Sequence, residues 1–211
     1  MSSRDEAFAK ARKLNDSEKF DEAMEEISEW TSQDGIEYTL PEIETINAII
    51  SDKTTSCTFE DKKDACLSCI DLIEGAKLVK DARWLEMYNE SVYDVFSKLS
   101  RCAREEEREQ LWNRLKEIYY EITLAVKKTW KDKNSPGGLA IYLSFSKLVK
   151  SYLDVADEES FKMCDNFAKE AKFVGKGKLD DDEWKEANKA IETIKKNISD
   201  AKHEKELIID D

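Results

Sequence analysis

Apolar residues recur every three or four positions along most of the chain, the period of an α-helix with one buried face. The clearest run lies between Gly138 and Ile198, where three helices are predicted. The first of them, which ends near Leu153, is apolar on nearly all sides, and a helix without a polar face is a buried one. The other two each carry one apolar stripe, within residues 161–174 and 184–198. The pattern predicts a core made of one buried helix and two amphipathic ones.

Capping residues indicate where several helices begin and end. Ser3 and Glu6 have the spacing of a capping box, and Pro41 suits the first turn of a helix. Asp157 can accept hydrogen bonds from the free N–H groups of a helix start. Gly175 tolerates the left-handed turn that ends many helices.

The rest of the chain is predicted to be helical as well. Two short helices before residue 31 predict a hairpin, and further helices are predicted within residues 41–75, 77–99 and 105–130. The run Thr54–Thr58 has poor helix propensity and favours a break within residues 41–75. We count eight helical segments and no segment typical of a strand.

Composition agrees with an all-α fold. The 211 residues are 40% hydrophobic, enough for a sizeable core, and only six glycines and two prolines are present. We predict a single helical domain over residues 1–200. Residues 201–211 are predicted to form a charged, mobile C-terminal tail.

Charge and cysteine content exclude several classes of function. A net charge of −13 predicts no nucleic-acid partner, since the phosphates would be repelled. No apolar run is long enough to span a bilayer and the N-terminus does not resemble a signal peptide, so no membrane association is predicted. Five cysteines without secretory features predict reduced thiols in a cytoplasmic or nuclear protein.

Residue types that take part in catalysis and metal binding occur in the chain, but they do not form the pattern of a recognisable site. The single histidine, His203, lies in the charged tail, whereas catalytic triads need an oriented imidazole. Cys66 and Cys69 have CxxC spacing but no second pair of zinc ligands, and they share an apolar stripe with Ile70 and Ile73. Runs of consecutive acidic residues do not converge on one point. The sequence predicts no enzyme, no cofactor and no metal.

Four short motifs resemble the 14-3-3 family in order and spacing: Lys19–Met24, Tyr119-Tyr120, Gly138-Leu139-Ala140 and Lys195–Ile198. The resemblance implies an antiparallel array of eight to nine helices with a concave groove. It further implies a signalling adaptor that binds phosphoserine or phosphothreonine motifs. A homodimer through residues 4–30 and 77–100 is implied too, although Met87 and Ser91 at the matching positions cannot complete ion pairs.

The resemblance also assigns residues to a phosphopeptide site. The positions that match are Lys53, Arg114, Tyr120 and Asn197, and the groove positions that depart from the family are Glu121, Ile122 and Tyr142. A glutamate beside a phosphate is repulsive, so phosphate recognition is expected to be weaker than in an intact family groove. The alternative is a helical scaffold that binds other proteins without phosphate dependence, as tetratricopeptide arrays do. The 34-residue repeat of such arrays is not found in this sequence.

The number of helices leaves one question open. The family has an additional helix between its Tyr-Tyr helix and its Gly-Leu-Ala helix, where this chain has only residues 127–137. Either residues 105–130 or residues 41–75 must then divide into two helices to keep the up-and-down order.

Overall fold

The computed structural model of the protein describes residues 3–33, 37–58, 60–75 and 81–210, with side chains up to residue 207. Within these ranges the chain forms nine α-helices and no strand, which confirms the all-α prediction. The helices are α1 (Arg4–Asp16), α2 (Phe20–Thr31), α3 (Leu40–Ser56), α4 (Lys62–Gly75), α5 (Ala82–Cys102), α6 (Glu105–Thr129), α7 (Pro136–Ser151), α8 (Glu158–Val174) and α9 (Asp181–Asp210).

The chain divides into two compact units. Unit 1 comprises Met1–Ala103 and unit 2 comprises Arg104–Asp211. The single domain over residues 1–200 stays a prediction. None of the helices in the described ranges is long and apolar enough to cross a membrane.

The division of residues 41–75 answers the question of the helix count. α3 ends at Ser56 and α4 begins at Lys62, so the break falls at the Thr/Ser run, whereas α6 is continuous. Residues in this run have low helix propensity, and their hydroxyls compete for backbone groups. Residues 76–80, where the following helix was predicted to begin, lie outside the described residues.

In unit 1, α1 and α2 form the predicted helical hairpin. They pack along small side chains, since Ala7 and Ala11 of α1 and Ala23 of α2 are all buried. Side chains at a contact set the distance between two helix axes, so alanines allow a close approach.

Polar side chains tie α3 to its neighbours in unit 1. Arg4 of α1 makes a bidentate pair with Glu42, with N–O distances of 2.6 and 2.7 Å, and Glu42 also accepts from the Thr39 N–H. At the other end of α3, the Thr54 hydroxyl lies 3.1 Å from Asp94 of α5 and accepts from Lys98 at 2.8 Å. These contacts fix both ends of α3.

Unit 2 is built around α7, the helix that the sequence predicts to be buried. Leu139, Ile141, Phe145, Leu148 and Val149 are all buried, on more than one side of the helix. α8 and α9 pack directly on α7. α6 meets it through aromatic rings: Tyr119 stacks on Phe145 with centroids 4.3 Å apart, and Trp112 lies parallel to the same ring at 6.2 Å.

The last helix is longer than predicted. α9 continues past Ile198 to Asp210, through residues expected to form a tail. Tertiary contacts explain the extension: Ala201 is fully buried, and Lys150 of α7 pairs with Asp200 and Glu204. His203 is exposed on this helix.

The predicted caps are present. Ser3 and Glu6 form a capping box, Thr39 and Glu42 form another around Pro41, and Asp157 accepts from the Ser160 N–H at 2.8 Å. Gly175 ends α8 with a φ of +66°, in the region that favours glycine.

Cys66 and Cys69 are fully buried in unit 1, which confirms that they pack in the core. Burial raises the pKa of Cys66 to about 12 and that of Cys69 to about 11. The reactive thiolate is therefore scarce at both positions near neutral pH.

We expect Cys66 and Cys69 to resist alkylation in the native protein, whereas the half-buried Cys57 reacts first. The measurement is iodoacetamide labelling over time, read by peptide mass spectrometry. In guanidinium chloride both should label as fast as Cys57. Equal rates for all three in the native state would contradict the core packing.

Candidate functional site

The two units separate the residues assigned by the family resemblance. Lys53 belongs to α3 in unit 1, whereas Arg114 and Tyr120 belong to α6 and Asn197 to α9 in unit 2. Each unit therefore has its own candidate surface.

In unit 1, Lys53 lines a cavity of about 450 Å³ between α2, the end of α3 and the start of α4. We call it the Lys53 cavity. Lys53 Nζ lies 2.5 Å from Asp21 Oδ1, and its side chain is only 11% exposed. Asp61 and Asp64 line the same cavity. The cation is paired and lies among carboxylates, so the field that a phosphate would meet there is not positive.

In unit 2, Tyr120 and Glu121 line a second cavity of about 430 Å³ between α6 and the first turns of α8. We call it the α6–α8 cavity. Its lining residues are Lys116, Glu117, Tyr120, Glu121, Glu159, Ser160 and Met163. The four α6 residues are spaced so that they share one face of the helix.

The one lysine of this cavity is already paired. Lys116 Nζ lies 2.8 Å from Asp157 Oδ2, and Asp157 also accepts from the Ser160 N–H and hydroxyl at the start of α8. Burial acts to raise the pKa of Asp157, but the hydrogen bonds from Lys116 and Ser160 prevail and lower it to about 2. The Asp157 carboxylate thus holds α8 to α6 and neutralises Lys116.

Arg114 and Asn197 do not line the α6–α8 cavity. Arg114 is half-buried on α6. Asn197 Nδ2 donates to the buried Ser146 hydroxyl of α7 at 3.0 Å, which connects α9 to α7. The amide of Asn197 therefore contributes to packing within unit 2.

Ile122 and Tyr142 lie in the core of unit 2. Ile122 is fully buried, and Tyr142 stacks on Phe167 of α8 with centroids 3.6 Å apart and planes 7° apart. Burial raises the pKa of the Tyr142 hydroxyl, which hydrogen-bonds the Thr123 side chain. Neither side chain is open to a ligand. The two differences from the 14-3-3 motif at these positions therefore lie in the core of unit 2.

Met87 and Ser91, the positions matched to a dimer contact, are buried inside unit 1. The Ser91 hydroxyl donates to Asn47 of α3, and the Asn47 amide donates to the Met87 carbonyl at 2.8 Å. These hydrogen bonds hold α5 against α3. Met87 and Ser91 therefore do not support the homodimer, which stays a prediction.

A third cavity, of about 490 Å³, lies between α2 and α4 in unit 1, and we call it the α2–α4 cavity. It is lined by Met24 and by the carboxylates of Glu25, Asp71 and Glu74, with no aromatic ring among its described lining residues. In the described part of the chain, no group of three or more His, Cys, Asp or Glu side chains is placed to hold a metal ion.

Sequence reasoning missed four residues of the α6–α8 cavity: Glu117 of α6 and Glu159, Ser160 and Met163 of α8. The spacing of Glu117 and Glu121, four residues apart, places both on the face of α6 that carries Tyr120. No local signal connects Glu159 or Met163 of α8 to that face, since only the tertiary packing brings them there.

The sequence model of one protein family, described as a domain of unknown function (DUF7758), matches residues 18–152. The chain belongs to the DUF7758 family. A comparison with curated proteins gives no match. The DUF7758 match includes α6 but ends before α8. In this member of the family, the α6–α8 cavity therefore combines one helix from the matched region with one that follows it.

We expect Asp157→Ala to destabilise the protein by about 1 kcal/mol at neutral pH, the usual cost of losing an N-cap. Because the pKa of Asp157 is lowered from 3.8 to about 2 on folding, its contribution is present above pH 4 and is lost as the pH falls toward 2. Urea unfolding of both proteins at several pH values measures the difference.

Asp157→Asn is the matched control, since asparagine still caps a helix but cannot pair with Lys116. It should retain most of the stability and show little of the pH dependence. A constant difference between Asp157→Ala and the unchanged protein down to pH 2 would contradict the assigned role of the carboxylate.

Proposed function

We propose that the protein is a helical interaction scaffold that binds segments of other proteins without requiring phosphate. The observation that carries the proposal is that the lysine at each of the two cavities is already paired with a carboxylate. Lys53 is paired with Asp21 and Lys116 with Asp157, and the remaining charged residues that line both cavities are carboxylates. A dianionic phosphate would have to displace these pairs and approach like charges.

The charge of each unit supports basic partners. Unit 1 contains 13 basic and 23 acidic residues, a formal charge of −10, and unit 2 contains 21 and 24, a formal charge of −3. Complementary charge speeds the encounter with a basic segment and disfavours an acidic or phosphorylated one.

The resemblance to the 14-3-3 family supports an adaptor that receives extended segments of partner proteins. In that arrangement α3 and α4 would correspond to the family's third helix, divided at the Thr/Ser run, and α6 to its fifth. We propose the adaptor role and the 14-3-3-like arrangement together, with regulation of signalling as the setting. The phosphate-dependent adaptor is the alternative that the experiment must exclude.

The first test compares three peptides of one length: a serine-centred sequence, its phosphoserine twin and a variant with two added lysines. Fluorescence titration of the full chain should show no gain from phosphorylation. Each added lysine should tighten binding about threefold, the scale of an exposed ion pair, and the gain should shrink in high salt. Tighter binding of the phosphoserine twin would favour the alternative instead.

Glu121→Arg separates the two adaptor models by the sign of its effect. If the groove recognises phosphate, this substitution removes a repulsive charge and strengthens binding of the phosphoserine peptide. Our proposal expects no such gain, together with weaker binding of the lysine variant. Glu109→Arg is the matched control, because it makes the same charge change at an exposed position of α6 outside the cavity.

A further inference from the structure

We infer that the α6–α8 cavity is a binding site for one cationic side chain of a partner segment, an arginine in preference to a lysine. The inference rests on the proposed function and assigns that function a specific subsite. The site consists of an exposed aromatic ring, an apolar contact and three carboxylates without a cation of their own.

The aromatic ring is that of Tyr120. It is 55% exposed, although most of the large hydrophobic side chains in the described residues are buried. A cation above an exposed tyrosine ring gains attraction worth about threefold in affinity, and guanidinium groups stack on such rings more readily than ammonium groups. An open ring at the mouth of a cavity therefore favours arginine.

The apolar contact is Met163, half-buried on α8 across the cavity from α6. The aliphatic part of an arginine can lie along apolar surface while its charged end stays hydrated. A cavity of about 430 Å³ falls within the usual range of small-ligand pockets, and it can admit one long side chain while the peptide backbone remains outside.

The carboxylates are those of Glu117, Glu121 and Glu159. All three are exposed, and none has a lysine or arginine nitrogen within 4 Å among the described residues. Lys116, the cation that faces them, is held by Asp157 at 2.8 Å. The charge left uncompensated at the cavity is negative, which matches a guanidinium group and opposes a phosphate.

The α2–α4 cavity provides an internal comparison. It also carries three carboxylates and a methionine, Met24, but no aromatic ring among the described residues that line it. Carboxylates line both cavities, whereas an aromatic ring lines the α6–α8 cavity. If the Tyr120 ring matters, only the α6–α8 cavity should show preference for a planar cation.

The experiment uses the full chain labelled with ¹³C at its methionine methyl groups, of which there are four. The probe is N-acetyl-arginine methylamide, and its matched control is N-acetyl-citrulline methylamide, which has nearly the same shape without the charge. We expect the Met163 signal, assigned by its loss in Met163→Leu, to shift saturably with the arginine probe. The citrulline probe should bind at least about fivefold more weakly, and the buried Met87 should not respond.

Substitutions then identify the parts of the site. Tyr120→Ala should weaken the arginine probe about threefold, and Glu121→Gln should weaken it by a similar factor. Glu109→Gln is the control and should have no effect. Equal Met163 shifts with both probes, an unchanged affinity in Tyr120→Ala, or a silent Met163 in the folded protein would each overturn the assignment.

The peptide titrations and the arginine probe can fail separately. If Met163 responds to arginine while no peptide binds, the subsite exists and the scaffold function is wrong. If the lysine-bearing peptide binds and Met163 stays silent, the scaffold function stands and this subsite is wrong.

Discussion

The burial of α7 is the constraint on which unit 2 depends. A helix with apolar residues on nearly every side must be covered by several elements, and α6, α8 and α9 each contribute one buried face. α6 turns Trp112, Tyr119 and Ile122 inward, which leaves Lys116, Glu117, Tyr120 and Glu121 on its outer face beside the start of α8. The functional surface that we propose is thus the face of α6 that the core does not use.

Local sequence determined much of the fold, and these parts could be predicted. The buried character of α7, the caps at Ser3 and Asp157 and the break at the Thr/Ser run all follow from neighbouring residues. The end of α9 could not be predicted, because a charged stretch resembles a solvated tail until its partners are known. Lys150 lies 50 residues from Asp200, and only the packed α7 brings the two together.

The candidate site likewise combines features that local sequence predicts with features that only tertiary packing determines. Sequence reasoning placed Lys53, Tyr120 and Glu121 on helices correctly, but their chemistry depends on residues far along the chain. Asp21 lies 32 residues from Lys53 in the sequence and forms an ion pair with it, at the position that the 14-3-3 resemblance assigns to phosphate binding. A resemblance to a family motif therefore predicts where a cation lies, whereas the electrostatic role of that cation depends on which carboxylate packs against it.

The boundary of the DUF7758 match has a consequence for how this protein should be divided into fragments for experiments. The match ends at Tyr152, a fully buried residue just after α7, although α8 and α9 cover that helix. The region matched by the family model and the compact unit Arg104–Asp211 thus have different limits in this chain. A fragment cut at that border would expose the apolar sides of α7 to water, so that it would aggregate or be degraded instead of folding on its own.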